Sequence, residues 1–257
     1  MGARRRARAT LIATIAAVLV VAGVASARAA APPDASRELS ALLASMEAAY
    51  AGVTDYTARF VRREVVAGHQ RSAEEALLKF QRPGRIYLRW TAGAPSGREI
   101  ILVPGRDGDR VLVHEPGLVS GRFTVLMAPD HRRILAESRH PITDVGLGRL
   151  IELVASNVRR GMARGDVQLT DHGGDGHVRK IELSFPRDPS LGYYCRRFLA
   201  TLRNGLPVTA AVHDFDGRLV AEYAYRDLKL NGGLTDTDFD PTNPAYRFPR
   251  LRFSLPR

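Results

Sequence analysis

The chain has 257 residues, and 38 Lys and Arg against 27 Asp and Glu give it a formal net charge of +11. Of the basic residues only Lys79, Lys180 and Lys229 are lysine, and the arginines are scattered rather than clustered with exposed aromatics, which argues against a nucleic-acid partner. The single cysteine, Cys195, excludes an intramolecular disulfide and any Cys-based metal cluster.

Residues 1–31 read as a secretory signal. Arg4, Arg5, Arg6 and Arg8 form a charged head, Leu11 to Val24 an apolar run, and Ala25-Ser26-Ala27 and Ala29-Ala30-Ala31 offer small-residue cleavage sites. The run is shorter than the ~20 apolar residues a membrane-spanning helix needs. Cleavage would remove five Arg and no acid, lowering the charge from +11 to +6, and would place the mature chain in the periplasm or outside the cell. What remains fits one domain, 32–240, followed by an extended Pro-rich tail, 241–257, with Pro241, Pro244, Pro249 and Pro256.

The first predicted element is an amphipathic helix: after Asp34 and Ser36, Leu39, Leu42, Leu43, Met46 and Tyr50 recur on one helical face, and Gly52 ends it. A strand follows over 55–66. Residues 75–115 then form a β-meander, because Ala76, Leu78 and Phe80, then Ile86, Leu88 and Trp90, alternate with Lys79, Arg85 and Arg89, the period of a strand with one buried face. Arg82-Pro83-Gly84, Ala94-Pro95-Ser96-Gly97 and Gly105-Arg106-Asp107-Gly108 make its turns. A further strand is expected over 119–126. Leu147, Leu150, Ile151, Val154, Val158 and Met162 then return to the helical period, predicting a helix over 144–163 capped by Asp144, with Arg149, Glu152, Asn157 and Arg160 outside. Strands resume at 167–170, 178–185, 193–203, 207–215 and 218–230, and Asn204-Gly205 and Asp216-Gly217 are strong hairpin signals.

The pattern gives an α+β, mainly β fold: a strongly curved antiparallel sheet, an open half-barrel, with an N-terminal helix and an inserted helix covering the concave face. Several stretches resemble the bacterial domain-of-unknown-function family 1571: Arg82-Pro83 through Tyr87-Leu88-Arg89-Trp90, Gly97-Arg98-Glu99-Ile100, and Ser138-Arg139-His140-Pro141-Ile142-Thr143-Asp144-Val145-Gly146-Leu147. The resemblance spans about 39–239. More remotely the chain is similar to the LolA/LolB-like periplasmic lipoprotein carriers. In those carriers an arginine just before a proline on a meander strand touches the helical lid, and a tryptophan follows on the next strand. The resemblance implies these places for Arg82 and Trp90, although Trp90 lies further from Pro83 than the carriers' pattern has it.

The hollow of such a sheet suits an acyl chain, since burying a chain is worth ~0.8 kcal/mol per CH₂. Its expected lining is Leu78, Phe80, Ile86, Leu88, Trp90, Ile100 and Leu102, with Leu147, Ile151 and Val154 from the lid helix, and an ordinary filled core is the competing explanation. Arg98-Glu99 forms a candidate polar pair at the entrance, the guanidinium being able to grip a carboxylate or phosphate. His140 and Asp144 have the residue types of a general base oriented by an acid, but Asp144 as a helix cap and Pro141 as a loop former explain them without chemistry. His114, His131, His172 and His177 lack metal-ligand spacing, and neither a G-x-S-x-G elbow nor a phosphate-binding G-x-x-x-x-G-K-[ST] loop is present. The expectation is therefore a periplasmic binding or carrier protein for a lipid, a lipoprotein acyl chain or a similar amphiphile, with no cofactor, metal or catalytic residue. Transient membrane contact fits this role. The alternatives are an envelope scaffold acting on a protein partner and, behind it, a hydrolase using His140 and Asp144.

Overall fold

A computed structural model describes residues 33–93, 96–117 and 119–256. The expected signal segment, the first half of the 94–97 turn and the tail's final Arg257 lie outside the described residues. Helix α1 (Pro33–Ala51) buries Leu39, Leu42, Leu43 and Met46, the stripe set by its spacing. The chain then forms β1 (Asp55–Val66), β2 (His69–Gln70), β3 (Glu74–Gln81), β4 (Arg85–Ala92), β5 (Glu99–Leu102), β6 (Val111–His114) and β7 (Thr124–Met127). After the short α2 (Arg132–Leu135) and the long α3 (Leu147–Arg164) come β8 (Gln168–Gly174), β9 (Val178–Ser184), β10 (Arg197–Arg203), β11 (Leu206–His213), β12 (Leu219–Leu230) and β13 (Arg252–Ser254).

One curved, unclosed sheet results, in the order β13-β7-β6-β5-β4-β3-β1-β12-β11-β10-β9-β8, with β2 paired to β1 alone. Every neighbour along it is antiparallel except β13, which runs parallel to β7. The first and last long strands meet at its centre, where Phe60 pairs with Tyr225 on one side and Ala76 on the other. At the Asn204-Gly205 turn both residues have positive φ, 48° and 82°, as that hairpin requires.

The inner face and the two long helices share one core. Alternate residues of β3 and β4 (Ala76, Leu78, Phe80; Ile86, Leu88, Trp90) pack there with Ile151, Val154 and Val158 of α3. The helices touch each other, α1 also packs on β8 and β11, and α3 on β11. Their close approach needs Gly148: a Cβ there would lie 2.7 Å from the Tyr50 ring.

Three expectations are corrected. The meander is not polar on its other face: Tyr87, Ile101, Val103, Leu112 and Leu126 form a second core with Phe239, against which Leu234, Tyr246 and Phe248 pack. Lys79 and Arg85 do point outward, but onto Asp238 and Asp236 of this covering segment. The 119–126 strand is shorter, a 3-10 turn at Ser120–Arg122 preceding β7. The inserted helix starts at Leu147, behind a separate turn at Ile142–Asp144; its cap is Gly146 at φ 131°, not Asp144. A Cβ on Gly146 would come within 2.9 Å of the Phe80 ring and 3.1 Å of the Tyr56 hydroxyl, so the chain enters the helix where only glycine fits.

Candidate functional site

A cavity of about 110 Å³ lies under the first half of α3. Leu150, Leu153 and Val154 roof it, because the 3.6-residue period sets them on one side of the helix. Leu183 and Phe185 at the end of β9, Phe198 of β10, Val212 of β11 and Phe60 of β1 form the floor. Apolar groups thus surround most of the space.

One end is polar, where the segment leading into α3 meets the far ends of β1 and β12. Glu64, almost fully buried, accepts hydrogen bonds from the Tyr223 hydroxyl at 2.6 Å and the Arg139 backbone N–H at 3.2 Å. Arg62 lies 3.8 Å from it and 2.9 Å from Glu74, whose carboxylate also accepts the Trp90 indole N–H at 2.8 Å. The His140 Nε2 is 2.6 Å from the Tyr194 hydroxyl, and its Nδ1 is 3.5 Å from the Asp144 carboxylate. Burial pushes this imidazole below its ordinary pKa, although the Glu64 and Asp144 charges pull it up. Asn157 accepts the Tyr194 backbone N–H and donates to the Leu153 carbonyl, tying the Tyr193–Cys195 segment to α3.

The arrangement is better suited to binding than to nucleophilic attack. Burial pushes the Cys195 thiol up to about 12 and raises the Tyr194 and Tyr223 hydroxyls, so all three are protonated at neutral pH. Among the described residues, no group of three or more His, Cys, Asp or Glu is placed to hold a metal ion.

Of the thirteen expected site residues, Val154 lines this cavity. Leu78, Phe80, Ile86, Leu88, Trp90, Ile100, Leu102, Leu147 and Ile151 lie instead in the closed core, where side chains fill the hollow over β3–β5. Arg82 donates to the Ala51 and Val53 carbonyls at 3.0 and 3.3 Å and lies over the Tyr50 ring, at the C-terminal end of α1. Arg98 is held between Glu115 and Glu137, 2.7 and 2.6 Å away, and with Arg62 it flanks Trp90. Glu99 faces the other way, under the C-terminal segment, accepting from the Tyr87 hydroxyl and the Arg247 N–H. Arg98 and Glu99 therefore form no joint entrance. The residues missed were Glu64, Tyr194, Tyr223, Leu153 and the β9–β12 floor; the available signal was the 138–147 stretch leading into the helix, which carries the polar end.

A family model described as a protein of unknown function (DUF1571) matches residues 53–248. The chain belongs to the DUF1571 family. A search of curated proteins finds no match to it. Solved structures similar to this DUF1571 chain include a LolA superfamily protein from Nitrosomonas europaea, at 14% identity and TM-score 0.38 over 79% of this chain and 97% of that one. Another is the Mycobacterium tuberculosis lipoprotein LppX, at 16% identity and TM-score 0.44 over 79% and 99%. A third is the Pseudomonas aeruginosa MucA/MucB complex, at 16% identity and TM-score 0.36 over 80% and 60%.

Proposed function

We propose that this protein is an exported binding or carrier protein that shelters the apolar part of an amphiphile between α3 and strands β9–β12. The observation that carries the reading is the unfilled, largely apolar cavity beneath Leu150, Leu153 and Val154, closed at one end by polar side chains. An amphiphile has the same division. Its volume, about 110 Å³, lies below the ~300–1,000 Å³ usual for ligand pockets, so it takes the end of a chain as it stands. A whole acyl chain enters only as α3 lifts away. Each methylene sheltered contributes ~0.8 kcal/mol, set against the re-exposure of Leu147, Ile151, Val154 and Val158 as the helix lifts.

Binding of the neutral dye N-phenylnaphthylamine tests this reading. A fluorescence rise, reversed by a competing single-chain amphiphile, supports it. No rise at any dye concentration short of micelle formation contradicts it.

A second reading, an envelope scaffold acting on a protein partner, is favoured by the edge strand β13 and the residue before it, where Phe253 and Leu251 are about half exposed. Removing residues 250–257 separates the two, since it leaves Phe239, Tyr246 and Phe248 on the second core. Loss of a partner with dye binding intact would favour the scaffold.

A further inference from the structure

A groove of about 630 Å³ lies on the outer face of the sheet, within the ~300–1,000 Å³ usual for ligand pockets. Alternation along β1 sets it on the opposite side from the cavity: Phe60, Arg62 and Glu64 line the cavity under α3, and Arg59, Val61 and Arg63, which alternate with them, line the groove. Four arginines line it, Arg59 and Arg63 from β1, Arg226 from β12 and Arg203 from the end of β10. The register places Arg59 directly opposite Arg226, a like-charged cross-strand pair that by itself destabilises a sheet. The Arg59 charge is met by Asp227 at 2.5 Å and Glu75 at 3.5 Å, and the Arg63 charge by Glu222 at 2.7 Å. Asp227 and Glu222 are the acids of the lining, so both are already engaged. Arg226 and Arg203 are exposed, and among the described residues neither has an acid partner.

The groove therefore holds positive charge and hydrogen-bond donors in excess. Arg226 and Arg203 each carry the guanidinium fork that suits an oxyanion. The Thr209 hydroxyl accepts the Thr201 N–H at 3.2 Å and keeps its own proton to donate, and the Nε of Arg63 is buried without an acceptor. Two unmatched cations are balanced by a dianion rather than a monoanion, and a phosphomonoester carries about −1.5 to −2 charges at neutral pH. A bare phosphate would leave most of the volume empty. Val61, Ala73, Val208 and Ala224 place small apolar surface beside the arginines, which suits an organic body on the ester. We infer that the groove is a second binding site, for an organic phosphomonoester whose phosphate is held by Arg226 and Arg203. It goes beyond the amphiphile site and does not depend on it.

Isothermal titration calorimetry of the full chain, in phosphate-free buffer at neutral pH, tests this with glycerophosphate, and with glycerol and sulfate as controls. Glycerophosphate is expected to bind with a Kd below about 1 mM, sulfate, which lacks the organic body, at least about tenfold more weakly, and glycerol not at all. Arg226→Gln and Arg203→Gln should each weaken glycerophosphate at least about tenfold, and Glu222→Gln, which releases Arg63, should tighten it severalfold. The thermal melt of unliganded Arg226→Gln should be no lower than the wild type's, because the substitution removes the like-charged pair. If one arginine variant does not fold, the other decides. Phosphatidylcholine vesicles containing phosphatidic acid, whose head is also a phosphomonoester, distinguish the source. Co-sedimentation that is lost in Arg226→Gln assigns the site to a lipid head, and binding of glycerophosphate alone assigns it to a soluble ester; either supports the inference. Three results overturn it: no saturable binding of glycerophosphate or vesicles, sulfate binding as tightly as glycerophosphate (an adventitious ion only), or unchanged affinity in the folded arginine variants. None of these touches the amphiphile site, which dye binding reads separately.

Discussion

Filling the cavity should make the protein more stable and less able to bind, a combination that an ordinary core position cannot give. A void of about 110 Å³, at ~24 cal/mol per Å³, represents about 2.5 kcal/mol of unrealised stability. Val154 roofs it from α3, and Val154→Phe directs a ring into the space. If the ring fills about half of it, the gain is about 1 kcal/mol, a rise in Tm of roughly 2–4 °C for a domain of this size. One turn further on, Val158 is fully buried in the same core but does not line the cavity. Val158→Phe should therefore overpack and cost about 1–3 kcal/mol. Urea unfolding of both variants, with N-phenylnaphthylamine binding measured alongside, gives the comparison. Val154→Phe should stabilise and lose dye binding, and Val158→Phe should destabilise. If the two lose stability alike, or if Val154→Phe binds dye as the wild type does, the cavity is not the site.

Other consequences follow from single contacts. Gly148→Ala adds a better helix former, worth about 1 kcal/mol in an isolated helix, yet its Cβ would meet the Tyr50 ring at 2.7 Å. Net destabilisation of about 1–2 kcal/mol by urea unfolding is therefore expected, and a gain would show that α1 and α3 are not so tightly joined. Arg82→Ala removes two hydrogen bonds to carbonyls at the end of α1 and the stacking on Tyr50, at a cost of about 1 kcal/mol in the same assay, the modest figure reflecting solvent exposure. Burial lowers the imidazole pKa of His114, His140 and His213, so the unfolded chain binds these protons first as pH falls. Stability should thus decline from about pH 6.5 downwards, and His140→Gln should make that slope shallower; an unchanged slope would contradict the burial of His140. Cys195, buried with its thiol pushed up to about 12, should react with a thiol reagent only on unfolding, and fast labelling of the native protein would contradict its position.

The helices and most of the strand pattern were legible because their signals are local. Leu39, Leu42, Leu43 and Met46 fix the buried face of α1 by spacing alone, and the alternation through Leu78, Phe80, Ile86, Leu88 and Trp90 fixes which side of the meander faces the helices. The second core was not legible, because Tyr87 and Ile101 are covered by Phe239 and Tyr246, from the far end of the chain. The cavity lies in the other half of the trough from the expected lining for a related reason. Regular alternation reports burial, not whether the buried space is filled. Over β3 and β4 the large rings of Phe80 and Trp90 occupy the hollow, whereas β11 and β12 offer Ala210, Val212 and Ala221. The polar end was half legible: His140 and Asp144 were singled out from the sequence, but Glu64, Tyr194 and Tyr223 join them only through the sheet's long-range pairing.

Native mass spectrometry of the protein, purified without detergent from the organism that makes it, tests the central claim most directly. The account predicts a population carrying an extra mass that extracts into organic solvent as an amphiphile, and loss of that population in Val154→Phe. Bare protein alone, from wild type and variant alike and with no dye bound by either, would contradict it.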